Sequence, residues 1–262
     1  MATDQVWGIA MVRNEADILP TVLAHMTRQV DHVLVADNLS TDATPDVLAA
    51  AGVDVVIDDD PAYRQSEKMT ALARRAYDAG AAWVVPFDAD EVWHTRSGQR
   101  LADHLTGLES ADVAVAALYD HRTTDLDDPT VPDPVRRMTW RTPTPAALPK
   151  VAARTSPHLV IAMGNHMATY TDDRPVRHAH GEVMVRHYPY RSVGQFIGKA
   201  RQGAAALAAT DLPRSVGAHW RQYGRTLHDH GEDALAQHYR REFHYADPAA
   251  ALLICDPAPV MS

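Results

Sequence analysis

Asp88-Ala89-Asp90 ends an apolar run at residues 81–87. On an extended segment, carboxylates at i and i+2 point to one side. There they repel, and both stay ionised only at a cost unless a cation joins them. A hard divalent ion, Mg²⁺ or Mn²⁺, removes that cost and leaves positions open for phosphate oxygens. The spacing points to a metal-bound diphosphate at Asp88 and Asp90.

Such a pair needs a scaffold that delivers it to a cleft. Val6–Val12 reads as a first strand, followed by the polar loop Arg13-Asn14-Glu15. Ile18, Leu19, Val22, Leu23 and Met26 then recur at helical spacing, with Pro20 in the first turn where its missing donor costs little. Residues 32–36 form a second strand, ending in the turn and cap formers Asp37 to Asp42. A helix over 45–51 closed by Gly52, a strand over 53–57 and a helix over 64–79 follow. The last of these carries Met69, Leu72, Ala73, Ala76 and Tyr77 on one face, and the strand over 81–87 then delivers Asp88. Strands alternating with helices at these lengths predict an α/β fold with a mostly parallel, Rossmann-like central sheet flanked by helices. Ligands of such sheets bind beyond the carboxyl ends of the strands, where every polar cluster named above falls.

The second half is less regular. Residues 111–119 read as a strand, 120–149 as a functional excursion, and Lys150–Arg154 and 159–163 as further strands. Helices are expected over 196–209 and 218–239, with a tail over 243–262 wrapping the surface. The whole chain, 1–262, reads as one domain: a nucleotide-binding half to about 120, an acceptor and metal half to about 205, and a helical C-terminal extension.

The motifs together resemble a family. Met11-Val12-Arg13-Asn14-Glu15, Asp37-Asn38-Leu39-Ser40-Thr41-Asp42-Ala43-Thr44 and Trp83-Val84-Val85-Pro86-Phe87-Asp88-Ala89-Asp90-Glu91 are similar to family 2 glycosyltransferases of the A-type nucleotide-sugar fold. Lys150 to Arg154, Gly164-Asn165-His166, His187-Tyr188-Pro189-Tyr190-Arg191-Ser192 and Phe196 to Gly203, with Lys199 inside it, continue the likeness over about residues 6–205. The resemblance implies a nucleotide-diphosphate-sugar donor, a small-molecule or glycan acceptor, Mn²⁺ or Mg²⁺, and inversion at the transferred carbon. It implies Arg13, Asn14, Glu15 and Asp37 at the base and ribose, Lys68 near the nucleotide, and Asp88 with Ala89 along the donor. Asp88, Asp90 and the late His187 would form the metal shell. From the residues alone, Asn14, Glu15 and Asp37 serve equally as helix caps, and Lys68, Lys150, Arg154, Arg191 and Lys199 as surface charges. The later acidic motif that supplies the base in many relatives has no clear counterpart. His166, Glu182 and Glu91 are the candidates, with His166 favoured.

Composition narrows the alternatives. A formal net charge of -9 argues against a nucleic-acid binder. The single cysteine, Cys255, fits a reducing compartment. No basic segment precedes an apolar stretch at the N-terminus, and no run approaches a membrane span, so a soluble cytoplasmic enzyme is expected. A metal-dependent hydrolase using His178 and His180, and a non-catalytic nucleotide-sugar binder, are the rival readings.

Overall fold

The computed structural model describes residues 4–258. The chain begins β1 (Val6–Val12), α1 (Leu19–Gln29), β2 (His32–Asp37), α2 (Thr44–Ala51), β3 (Asp54–Ile57), α3 (Gln65–Asp78), β4 (Trp83–Pro86). It continues β5 (Glu91–Thr95), α4 (Leu101–Thr106), β6 (Val113–Thr124), α5 (Pro134–Arg137), β7 (Trp140–Arg141), β8 (Lys150–Arg154), β9 (Leu159–Ile161), β10 (Ala168–Tyr170). It ends β11 (His178–Ala179), β12 (Val183–His187), α6 (Val193–Ala208), α7 (Ala218–Glu242), β13 (His244–Tyr245), β14 (Ile254–Cys255).

The main sheet runs β14-β7-β6-β8-β4-β1-β2-β3, and helices flank it. β3, β2, β1 and β4 are mutually parallel. Their carboxyl ends therefore open on one edge, where the loops carrying Arg13, Asn38, Asp58 and Asp88 meet. β8 is antiparallel to both β4 and β6 and brings Lys150 to that edge.

Strand alternation decides which helix each residue meets. In β1, Val6, Ala10 and Val12 pack with Leu19, Val22, Leu23 and Met26 of α1. Trp7 and Ile9 face the other way, toward Met69, Leu72, Ala73 and Ala76 of α3. Burying each large apolar side chain contributes roughly 1.5–3 kcal/mol, so the two layers fix the register of the parallel half. Gly8 lacks a Cβ where one would lie 3.1 Å from the Phe87 ring, and this lets Phe87 pack beneath the loop that carries Asp88. α6 and α7 form a hairpin with its own small core of Phe196, Ile197, Ala200, Leu235 and Tyr239.

Four expectations need correction. Tyr77 lies on the solvent side of α3, where Arg74 covers it. The strand expected to stop at 119 continues to Thr124, so Asp120 is a strand residue, and the segment after it contains α5 and β7. β12 was not foreseen; it pairs with β5 and β6 and sets His187 opposite both Glu91 and Asp120. The tail adds β13 and β14 to the sheet instead of only wrapping it. Among the described residues no helix is long and apolar enough to cross a membrane.

Candidate active site

β4 ends at Pro86, and Ala89 and Asp90 form a turn into β5. The Glu91 amide donates to Asp88 O at 3.1 Å, and the Glu91 carboxylate accepts the Asp88 amide at 3.1 Å. A tight turn, and not the extended i, i+2 geometry, thus presents the two aspartates. Both line a cleft of about 370 Å³. Each meets a different buried cation.

Asp88 Oδ2 lies 2.6 Å from Lys150 Nζ, and its Oδ1 accepts from Asn165 Nδ2 at 3.1 Å and Gln65 Nε2 at 3.4 Å. Lys150 Nζ also contacts Glu91 Oε1 at 2.7 Å and donates to Gly164 O at 2.8 Å. Burial works against the ammonium, but Asp88 and Glu91 outweigh it and hold the Lys150 pKa above its usual value. Burial pushes the Glu91 carboxyl up; Lys150 opposes that rise and Asp88 adds to it. Glu91 is fully buried and is a structural counter-ion beneath the cleft, not part of its wall. Replacing Lys150 with methionine strands the Glu91 carboxylate. Loss of one member of a buried pair costs roughly 3–5 kcal/mol. Urea denaturation of Lys150→Met should show a loss of that size, and a loss within about 0.5 kcal/mol, the range of a surface change, would contradict it.

Asp90 Oδ2 sits 2.5 Å from Lys199 Nζ and 3.6 Å from Arg191 Nη1. Lys199 and Arg191 also reach Glu15, at 3.1 and 2.5 Å, and Arg191 reaches Asp17 at 2.7 Å. Burial would raise the Asp90 pKa, but Lys199, His187 and Arg191 together hold it well below the ordinary carboxylate value. The other oxygen, Oδ1, faces His187 Nε2 at 3.7 Å, while His187 Nδ1–H donates to Asp120 Oδ1 at 2.7 Å. Burial lowers the His187 pKa, yet the Asp120 hydrogen bond and Asp90 together raise it.

A divalent ion fits this donor set. A carboxylate oxygen and an imidazole nitrogen suit Mn²⁺, and a carboxylate behind the far ring nitrogen fixes the ring for ligation. Among the described residues no group of three or more His, Cys, Asp or Glu side chains stands together as a metal site. The chain would therefore supply Asp90 and His187, and phosphate oxygens the remaining positions.

His166 also lines the cleft. Its Nδ1 lies 2.8 Å from Pro149 O; a carbonyl only accepts, so Nδ1 carries the proton and Nε2 keeps its lone pair. Burial, then Lys150, lowers its pKa and leaves the ring neutral near pH 7. Gly164, at φ +72, makes room for the ring: a Cβ there would lie 2.6 Å from His166 Nε2. Of the other base candidates, Glu91 is buried behind Lys150, and Glu182 accepts from the Ser97 amide at 2.8 Å outside the cleft. His178 and His180 do not line the cleft either.

Arg13, Glu15 and Ala89 line the cleft; Asn14, Asp37 and Lys68 do not. Asn14 Oδ1 accepts from the amides of Thr41 and Asp42 and so ties the first loop to the second. Asp37 Oδ1 accepts from the Ser40 amide at 3.3 Å. Lys68 pairs with Asp58 at 2.7 Å and donates to Asp60 O at 2.5 Å, bracing the loop after β3. Arg13 makes one long bond, 3.5 Å to Asn38 Oδ1, and its buried Nε has no partner among the described residues. It is a cation available to a ligand.

Sequence reasoning missed Asp120, Tyr63, Gln65, His219 and Trp220. Asp120 carried a signal: in the sequence it follows an apolar run just as Asp88 does. His219 and Trp220 carried none, because they reach the cleft only through the packing of α7 on α6.

Solved structures of glucosyl-3-phosphoglycerate synthase from Mycobacterium tuberculosis resemble part of the chain. The complex with Mn²⁺, uridine diphosphate and phosphoglyceric acid aligns at 20% identity, covering 44% of this chain and 43% of that one, with a TM-score of 0.32. A mycobacterial protein aligns at 19% identity, covering 80% of this chain and 76% of that one, with a TM-score of 0.43. A TPR repeat-containing protein of Synechococcus elongatus is 34% identical over 90 residues, 34% of this chain; the chain spans 21% of that relative's length. The family model for glycosyl transferase family 2 matches residues 9–143, just over half of the 262 residues, and the chain belongs to that family.

Proposed function

We propose that the protein moves a sugar from a nucleotide-diphosphate donor to the hydroxyl of a small-molecule or glycan acceptor, with inversion. The observation that carries this reading is the pairing of Asp90 Oδ1 with His187 Nε2, backed by Asp120, in a cleft that also holds Arg13 and His166. Asp90 and His187 would hold Mn²⁺ or Mg²⁺, which when bound stabilises the charge gathering on the departing diphosphate. Arg13 would add a guanidinium to the phosphates or base. Asp88, with its charge balanced by Lys150, would line the donor path with Ala89.

The acceptor hydroxyl would attack the sugar's anomeric carbon while the bond to the diphosphate breaks. His166 Nε2 would take the hydroxyl proton. Asn14, Asp37 and Lys68 hold the loops that frame the nucleotide. Tyr190, His219 and Trp220 wall the cleft from the C-terminal side and would contact the acceptor.

Thermal shift with a panel of nucleoside diphosphates tests the reading. A ligand that binds the native state raises the melting temperature. One base should give a shift that Mn²⁺ enlarges and chelator removes; shifts indifferent to chelator would remove the metal from the reading. Asp120→Asn should weaken Mn²⁺ affinity by about 10–100-fold, the range for a group behind a ligating histidine. Titration calorimetry with Mn²⁺ alone reads this directly, and an unchanged isotherm would leave His187 without its ligand role.

A further inference from the structure

A second concavity, separate from the catalytic cleft, lies along the α6–α7 hairpin. Its volume is about 810 Å³, and Arg214, Arg221, Arg225, His228 and Asp229 supply its charged lining. Residues 218, 221, 225 and 228 share one face of α7 by helical spacing. Arg214 enters from the turn before it. The floor is made of small residues. A Cβ on Gly224 would lie 2.5 Å from the Ala204 Cβ, so the helices approach closely there and the long arginine side chains are left at the rim.

The charges on this face are unbalanced. None of Arg214, Arg221 or Arg225 forms an ion pair among the described residues, whereas Arg201 and Arg241 on the same hairpin pair with Glu232 and Glu242. Asp229, the one lining carboxylate, bonds His228 at 2.8 Å and feels the charge of Arg225 one turn back without closing an ion pair with it. Among the described residues Arg221 donates a single long bond, 3.5 Å to Leu212 O, and its buried Nε has no partner. A chain of net charge -9 thus gathers around one hollow three guanidiniums that close no ion pair among the described residues. Solvent screens the exposed Arg214 and Arg225 only in part, and an anion bridging the three charges would relieve the rest of their repulsion.

We propose that this groove binds a phosphate-bearing ligand. A phosphate presents several acceptor oxygens at once and takes paired N–H donors from a guanidinium fork. Arg221 and Arg225, one turn apart, would hold it, with Arg214 closing from the turn. The phosphate belongs either to a free small molecule or to an anionic lipid headgroup. The proposal does not rest on the transferase reading.

The test uses the full chain and two probes. Inorganic pyrophosphate is titrated calorimetrically with chelator present. Vesicles of phosphatidylcholine mixed with phosphatidylglycerol are sedimented against vesicles of phosphatidylcholine alone. Arg221→Gln/Arg225→Gln should weaken one of these interactions by about tenfold or more, while Arg240→Gln/Arg241→Gln, on the last turn of α7, should not. Loss of pyrophosphate binding identifies a free phosphate compound as the source, and loss of selective sedimentation identifies a lipid. The proposal fails if the wild-type chain binds neither probe, or if the control variant loses as much. It fails equally if pyrophosphate binding survives in Arg221→Gln/Arg225→Gln and disappears in Arg13→Gln, which would assign it to the catalytic cleft. Should the double variant melt early, Arg225→Gln alone, at an exposed position, is read instead.

Discussion

Asp90→Asn is expected to lower sugar transfer about a thousandfold, the scale of a few kcal/mol of lost transition-state stabilisation. The substitution keeps the shape of the side chain and removes the charge on which Lys199, Arg191 and His187 converge. The oxygen facing His187 would become a weak, neutral ligand, and the leaving diphosphate would lose its counter-charge. Most of the loss should fall on kcat, because the affected charge develops as the donor bond breaks. Steady-state kinetics with Mn²⁺ present checks this. A variant that folds, shown by its melting curve, and keeps more than a tenth of wild-type kcat would remove Asp90 from the reaction. Asp88→Asn offers a contrast. Its carboxylate is held by Lys150, Gln65 and Asn165 and does not face the histidine, so its loss should cost less.

His166→Gln is expected to reduce kcat by about 10²–10⁴-fold, the usual contribution of a positioned general base. The pH profile gives a sharper reading. Burial and Lys150 lower the His166 pKa below its ordinary value of 6.5. The active form is the neutral one, so with Mn²⁺ saturating, which would keep His187 deprotonated, the rate should be fully developed above pH 6.5 and fall only as the medium becomes more acidic than the lowered His166 pKa. The acidic limb should disappear in His166→Gln. A merely structural histidine would change the melting temperature and leave the limb in place, and that result would reopen the question of the base. Gly164→Ala is expected to act through the same ring, because its Cβ would meet Nε2 and its φ of +72 disfavours any side chain.

The parallel half of the sheet was legible in the residues. Val6 to Val12 alternates between two helices, α1 and α3 each carry an apolar stripe, and Gly52 closes α2 in the left-handed region. These are local patterns, and period and length alone separate strand from helix there. The positions of Asp88 and Asp90 at a strand end were equally legible. Their partners were not. Lys150 and Lys199 looked like surface charges, since nothing in a one-dimensional string reports burial, yet the antiparallel β8 and the hairpin helix α6 carry them into the wall of the cleft.

The same division holds for His187. Its place before Tyr-Pro-Tyr-Arg-Ser marked it, but a chain of fifteen histidines offers many coincidences. Only the pairing of β12 with both β5 and β6 sets it between Asp90 and Asp120. Periodicity and the order of strand-end motifs determined the fold class, the site's edge of the sheet and the acidic pair, because those follow from contacts between near neighbours. Tertiary structure decided which cation neutralises each acid, which histidine faces Asp90 and which aromatic residues close the cleft. Those depend on long-range pairings, and loop closure leaves no trace of such pairings in local residue order.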